Sequence, residues 1–441
     1  MHIRFVRFAM VACTLWTLVP ALDAAAVTSV VVRAGTLLDG TGAAPRHNVE
    51  ILVQDGRFVR IDSKVDAPAD ATVLDLGGKT VLPGFIDCHV HLGGEMVGDW
   101  TNRGVRQLPA EAAAIATAYA RRTLEAGFTT VRNVGASDFV DVGLRNAINQ
   151  GFVAGPRMLV ATHSLGITGG HADENGFRPG IFDHEPDWRD GIITGTDQAR
   201  AAVRYAVKYG ADVIKVCATG GVLSEGDAVG VQQLSEEELR AIVEEAARAG
   251  RKVAAHAHGT EGIKAAVRAG VASIEHGSML DDEAIRMMKQ HGTFLVPTLL
   301  AGATVMGRAE KGQLPEWAAA KARIVAPRMH GSFKAAYAAG VKIAFGTDSG
   351  VSPHGQNGEE FVLMVQDGMK PMDAIVAATR NAAELLGRDA DLGTVAAGKL
   401  ADLVIVDGDP LADIGVLRHP LLVIKDGRIV FDGRIAAAPP R

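Results

Sequence analysis

Six residues spread along the chain have side chains suited to holding divalent cations: His89, His91, Lys215, His256, His276 and Asp348. Each ends or follows a short apolar, strand-like run: VLPGFIDCHVH, DVIKVCATGG, KVAAHAHG, VASIEHG and VKIAFGTDSG. Imidazole nitrogens and carboxylate oxygens suit zinc and similar ions. Ligands carried at the ends of converging strands share one mouth, a pattern that points to metal-dependent hydrolysis.

His89 and His91 are two residues apart in DCHVHL, so in an extended strand both point to the same side while Cys88 and Val90 face away. Taken alone, such a pair is as often packed in a core as bound to a metal. Its place at the end of the first strand of a series favours ligands. Lys215 in DVIKVCA is the unusual member, because a buried ammonium is costly and tends to titrate neutral. Its alternative is a lysine that snorkels to the strand end. If the amine takes up CO2, the carbamate offers two oxygens able to bridge cations about 3.5 to 4 Å apart. His256 and His276 then complete the second cation's shell. Asp348 is placed to touch the first cation and the attacking water, taking a proton and passing it to a leaving amine. Its alternative is a turn or helix-capping aspartate, since Ser349 and Gly350 follow.

Eight apolar runs can carry these residues: 81–87, 129–134, 157–162, 212–218, 252–257, 272–276, 293–299 and 342–347. Amphipathic segments such as 110–126, 197–209, 235–250 and 281–291 lie between them, so the pattern predicts an α/β protein, a (β/α)8 TIM barrel. Ser235 followed by three glutamates marks a helix start, and Gly127, Gly210, Gly250, Gly270 and Gly292 close helices on the face opposite the ligands. Outside the barrel, ILVQDGRFVRID (51–62) and LLVIKDGRIVFDG (421–433) each place Asp-Gly between alternating apolar residues, a hairpin signal. Neither hairpin buries enough surface alone, so both chain ends are expected to join in a small β-sandwich. The expected division is a signal peptide at 1–26, sandwich parts at 27–80 and 388–436, and a catalytic barrel at 81–387.

The chain has 441 residues, room for a large domain and a smaller companion. Its formal charge is −6 and no Lys/Arg cluster interrupts the mixed-sign surface, which argues against nucleic acid and anionic membrane as partners. A small-molecule or short-peptide substrate fits better. Arg4 and Arg7 precede an uncharged run from Phe8 to Leu22, and Ala24-Ala25-Ala26 offers a cleavage site. This predicts export, to the periplasm or beyond, with no membrane attachment after cleavage. Cys13 follows Arg7 too closely for a lipoprotein signal, and Cys88 with Cys217 do not make a disulfide framework.

The six residues taken together resemble the amidohydrolase superfamily in its binuclear form. KVCATGGVLSEGD, QQLSEEELRAIVEEA, AAHAHG and GTDSGVSPHG are similar to its imidazolonepropionase-like branch, with Xaa-Pro and Xaa-Arg/Lys dipeptidases and ochratoxin-hydrolysing amidohydrolases. The resemblance covers about 27 to 434. It implies a TIM barrel with a flanking sandwich, two divalent ions (zinc by default) and a CO2-derived carbamate on Lys215. It also implies a homo-oligomer and hydrolysis of an amide to a C-terminal amino acid by water shared between the ions, with Asp348 as proton shuttle. The strand-four lysine sets the chain apart from mononuclear deaminases. Asn133 in TTVRNVG departs from the pattern, where relatives often carry Asp. His163, His171 and His258 are candidate substrate contacts, with loop or supporting roles as their alternative. His354 is a weaker candidate, and His2, His47, His184, His291, His330 and His419 read as non-catalytic. Two competing functions remain open: a cyclic-amide or lactone hydrolase on the same site, and a metal-stabilised binding module. Specificity is expected in the loops 93–109, 164–196, 219–234 and 300–316.

Overall fold

Two Asp-Gly turns meet where the chain's beginning and end come together. The computed structural model describes residues 29–98 and 100–435, and the expected signal peptide lies outside the described residues. The first strands are β1 (Ser29–Leu37), β2 (Arg46–Gln54), β3 (Arg57–Asp62) and β4 (Thr72–Pro83). There follow β5 (Phe85–Val90), β6 (Phe128–Asn133), β7 (Arg157–Val160), β8 (Ser164–Ile167), β9 (Ile192–Ile193), β10 (Ile214–Cys217), β11 (Val253–Ala257), β12 (Ser273–His276) and β13 (Phe294–Val296). The last are β14 (Leu403–Val406), β15 (Leu422–Lys425) and β16 (Arg428–Asp432).

Both chain ends form one seven-stranded sheet in the order β16-β15-β14-β4-β1-β2-β3. Its hairpins β2–β3 and β15–β16 turn at Asp55-Gly56 and Asp426-Gly427, all four residues with positive φ, as the tight primed turn requires. A Cβ on Gly427 would lie 2.9 Å from Gly56 Cα, so glycine lets the two tips touch. Val32, Ile51 and Phe58 from one end pack with Leu403, Ile405 and Leu422 from the other in a single apolar cluster.

The remaining strands form two wholly parallel sheets, β5-β6-β7 and β13-β12-β11-β10-β8-β9. Backbone hydrogen bonds continue beyond their edges. Val160 O at the end of β7 accepts from Asp212 N at 2.7 Å, just before β10. On the other side, residues 342–349 touch both β13 and β5: Ile343 bridges Leu295, Ser349 bridges Val90, and Cys88 N donates to Phe345 O at 2.8 Å. The expected strand 342–347 is thus a pair of bridges rather than a continuous ladder. Gly346, pressed against Val296 and His89, and Asp348, at φ 58°, bend it out of regular pairing.

Helices Pro109–Glu125, Gly195–Lys208, Glu236–Arg248 and Asp282–His291 lie within two residues of their sequence expectations. Ser235 caps the third with a full capping box to Glu238. The expected first run, 81–87, is split: β4 ends at Pro83, and Gly84, packed against Thr129 and Asp402, starts a new direction in β5. The expected loop 300–316 is mostly helical, Leu299–Glu310 followed by Glu316–Ala338. Leu299, Leu300, Ala301, Val305 and Ala309 bury one face of the first of these, which stabilises helix where a glycine-containing sequence reads as loop. Among the described residues no helix is long and apolar enough to cross a membrane.

Candidate metal centre

Backbone pairing fixes the first donors. His89 is the next-to-last residue of β5 and His91 follows the strand; Asp348 N donates to His89 O and His91 N to Ser349 O, both at 2.7 Å. Below them, buried Asp87 accepts His89 N at 3.0 Å, Thr347 Oγ1 at 2.7 Å and Asn357 Nδ2 at 2.8 Å. The two segments are tied together, and Asp348 Oδ1 comes 3.5 Å from His89 Nε2 and 3.4 Å from His91 Nε2. Donor atoms of this trio all lie within 4.8 Å of one another, a group able to hold a metal ion.

Lys215 sits in β10 between β11 and β8, 3 % exposed, with Nζ 3.5 Å from His89 Nε2. Burial lowers its amine below the usual lysine range, which favours the neutral form. His256 is next to last in β11 and His276 ends β12, their rings 4.7 Å apart; His276 lies 5.0 Å from His89. His276 takes the uncommon φ of 68° and its Nδ1 pairs with Thr298 Oγ1 at 2.7 Å. His256 Nε2 is buried with no hydrogen-bond partner, a costly state that a bound cation would relieve. Burial holds His89, His256 and His276 well below the ordinary imidazole value and His91 at about 4, so all four present lone pairs. Asp348 is pushed up to about 7, again chiefly by burial. The donor types and their arrangement fit divalent cations.

All six residues line one cavity of about 840 Å³, and so do His163, His171 and His258. His258 stacks on His276 at 5.0 Å and its Nδ1 pairs with Ser278 Oγ at 2.7 Å. His163 packs on Phe139 at 5.0 Å, and His171 on His256 at 4.2 Å. His354 lies outside the lining, its Nε2 on Gly94 O at 2.9 Å. His184 stands at the cavity wall, paired with Asp190 at 2.9 Å. Asn133 accepts Leu92 N at 2.7 Å and donates to Gly135 O at 3.2 Å and to Asp141 Oδ2 at 3.4 Å. An aspartate there would set two carboxylates face to face, which accounts for the amide at this position.

The sequence model of the amidohydrolase family matches residues 80–430, the whole span that carries the donors. The chain belongs to the amidohydrolase family. Its relatives include the ochratoxinase of Aspergillus niger, 34% identical over 432 residues, with 93% of this chain and 88% of that protein covered. Among solved structures, a Xaa-Pro dipeptidase with methionine bound in its active site has a TM-score of 0.86 at 42% identity, covering 91% of this chain and 99% of that one. A prolidase complexed with N-methylphosphonate-L-proline has a TM-score of 0.84 at 34% identity, with coverage of 91% and 99%. Like its family, this amidohydrolase is a hydrolytic enzyme.

Two residues of the site escape sequence reasoning. Glu275, fully buried, receives His89 Nδ1 on one oxygen at 2.8 Å and Arg132 Nη2 on the other at 2.8 Å. Arg132, itself 2 % exposed, also donates to Cys88 O at 2.6 Å. The only hint in the sequence is a charge inside each of two apolar strands, FTTVRN and SIEH.

Proposed function

We propose that this amidohydrolase is an exported metal-dependent carboxypeptidase or dipeptidase that releases a C-terminal amino acid from dipeptides or N-acyl amino acids, ochratoxin-like amides included. The observation that carries the reading is the gathering of His89, His91, Lys215, His256, His276 and Asp348 at one cavity large enough for such a substrate. The likeness to an ochratoxinase and to a Xaa-Pro dipeptidase supports it. We read the two parallel sheets and residues 342–349 as one (β/α)8 ring at 81–387. The sheet from 27–80 and 388–436 is read as its companion domain and the enzyme as a homo-oligomer.

In this reading His89, His91 and Asp348 would hold one divalent ion and His256 and His276 a second, zinc in both by default, with Lys215, carboxylated by CO2, completing the donor set. Bound ions would lower the pKa of water toward about 7 and polarise the scissile carbonyl. Asp348 takes the proton from the attacking water and returns it to the leaving amine, a transfer its position beside His89 and His91 allows. Glu275 holds the tautomer of His89 that leaves Nε2 free to ligate.

The test is release of free amino acid from a panel of L-Xaa-L-Xaa dipeptides and N-acyl amino acids by the purified, metal-replete mature chain, read by chromatography. Turnover on several linear amides is expected. No release from any of them, or faster turnover of hydantoins and lactones, would overturn the reading.

A further inference from the structure

The hydroxyls of residues 347–352 pass their protons in one direction, toward buried Asp87. Asp87 Oδ1 accepts His89 N at 3.0 Å and Thr347 N at 3.2 Å, while Oδ2 accepts Thr347 Oγ1 at 2.7 Å and Asn357 Nδ2 at 2.8 Å. Four donors occupy the carboxylate's four acceptor sites. Thr347 has given its only proton to Asp87, so its oxygen can only accept, from Ser349 N at 3.0 Å and Ser349 Oγ at 2.8 Å. Ser349 Oγ is then left to accept from Ser352 Oγ at 3.4 Å. Asp87, Thr347, Ser349, Ser352 and Asn357 are all fully buried, so water does not compete with the chain.

Asp348 stands between two members of this chain. Its φ of 58° is a left-handed value that costs a non-glycine residue free energy and persists only where the surroundings over-determine it. Thr347 and Ser349 are pinned on either side of it, and His89 O accepts Asp348 N at 2.7 Å. The backbone held in this way brings Asp348 Oδ1 to 3.5 Å from His89 Nε2 and 3.4 Å from His91 Nε2. Asn357 closes the arrangement from the turn before helix Glu359–Gln366, 270 positions from Asp87 in the chain. Gly355 N donates to its Oδ1 at 3.2 Å, which fixes the amide so that Nδ2 and not the oxygen faces Asp87.

We propose that Asn357 is a positioning residue for Asp348: by filling the last acceptor site of Asp87 it keeps the Thr347 hydroxyl in its donating orientation, and so locks the left-handed backbone that sets the Asp348 carboxylate against His89 and His91. This rests on the amide-hydrolase reading above, in which Asp348 carries the proton. Asp87→Asn turns an acceptor into a donor facing Asn357 Nδ2, and turning the Asn357 amide over only moves the conflict to Gly355 N. Asn357→Asp alone sets two carboxylates in contact. The exchange Asp87→Asn/Asn357→Asp puts a donor opposite an acceptor again and keeps one charge in the network.

The experiment compares these three variants and Asn357→Leu with the wild-type enzyme. Readouts are kcat and KM on its best dipeptide at saturating zinc, the zinc affinity of the metal-free protein and the melting midpoint. Each single variant is expected to lower kcat and zinc affinity by about 10- to 100-fold, with KM within about two-fold of wild type. The exchange pair should regain most of both losses, as residues acting through one contact do. Unaltered kcat in Asn357→Leu, a rise in KM that accounts for the whole loss, or an exchange pair as poor as Asp87→Asn would each overturn the proposal. If Asn357→Leu does not fold, Asn357→Asp set against the exchange pair decides it. A wild-type enzyme that releases no amino acid at all overturns the amide-hydrolase reading instead and leaves the zinc-affinity comparison to test the positioning.

Discussion

Glu275 stands behind His89, one of the proposed metal ligands. His89 can ligate through Nε2 only if its proton stays on Nδ1, and the 2.8 Å bond to Glu275 keeps it there. Arg132 pairs with Glu275 at 2.8 Å in a fully buried position. Glu275→Gln removes the charge that makes the imidazole a strong donor, so bound metal per chain after dialysis should fall, with affinity lower by about 10 to 100-fold. Unchanged metal titration would refute the role. Lys215→Ala should do more, losing bound metal together with activity beyond the ~10 to 100-fold expected of an outer partner; full activity without bicarbonate dependence would sink the carbamate bridge. Lys215 and the histidines were readable in the sequence because each interrupts an apolar run at a strand end. Glu275 and Arg132 were not, since each is a lone charge whose partner lies far away in the chain and only the packing of β6 against β12 through the interior unites them.

At the scale of elements, the helix Leu299–Glu310 both supports and borders the site. Thr298, at φ 51°, anchors His276 and begins this helix without a side-chain cap of its own. Glu360, from helix Glu359–Gln366, supplies the cap: its two oxygens accept Leu299 N at 2.9 Å and Leu300 N at 2.7 Å. The helix is hidden in the sequence partly because its cap is brought from a distant helix, which no local pattern reveals. Burial raises the Glu360 carboxyl from 4.5 to about 8, outweighing the two backbone bonds. With the folded value above the unfolded one, the folded state binds the extra proton between pH 4.5 and about 8. Its stabilising contribution is therefore complete below 4.5 and lost as pH rises through about 8. Glu360→Gln should flatten that part of the melting-versus-pH profile. It should also cost roughly 1–3 kcal/mol at low pH, because one backbone N–H loses its acceptor. A mutant profile with the wild-type slope would assign the pH dependence elsewhere.

For the whole molecule, the two Asp-Gly signals announced the hairpins, and the shortage of apolar surface in each announced that they must combine. The single sheet they form was not legible, because its order depends on β4 pairing with β1 on one side and β14 on the other. That sheet leads straight into the site: β4 ends at Pro83, β5 carries His89, and His91 follows it. The remaining donors arrive on β10, β11, β12 and residues 342–349, so the centre joins strands from across both parallel sheets. Cations bound there cross-link elements far apart in the chain and hold only the folded state, which stabilises it by about 2.7 kcal/mol when free metal is 100 times the dissociation constant. Removing them leaves His256 Nε2 buried and unpartnered and returns a cluster of imidazoles to mutual contact. Exhaustive chelation should therefore lower the melting midpoint by several degrees and abolish turnover together, and added zinc should restore both. If chelation removes activity while the melting curve stays in place, the donors do not bind the metal tightly enough to brace the fold; if neither changes, the centre is not a metal site.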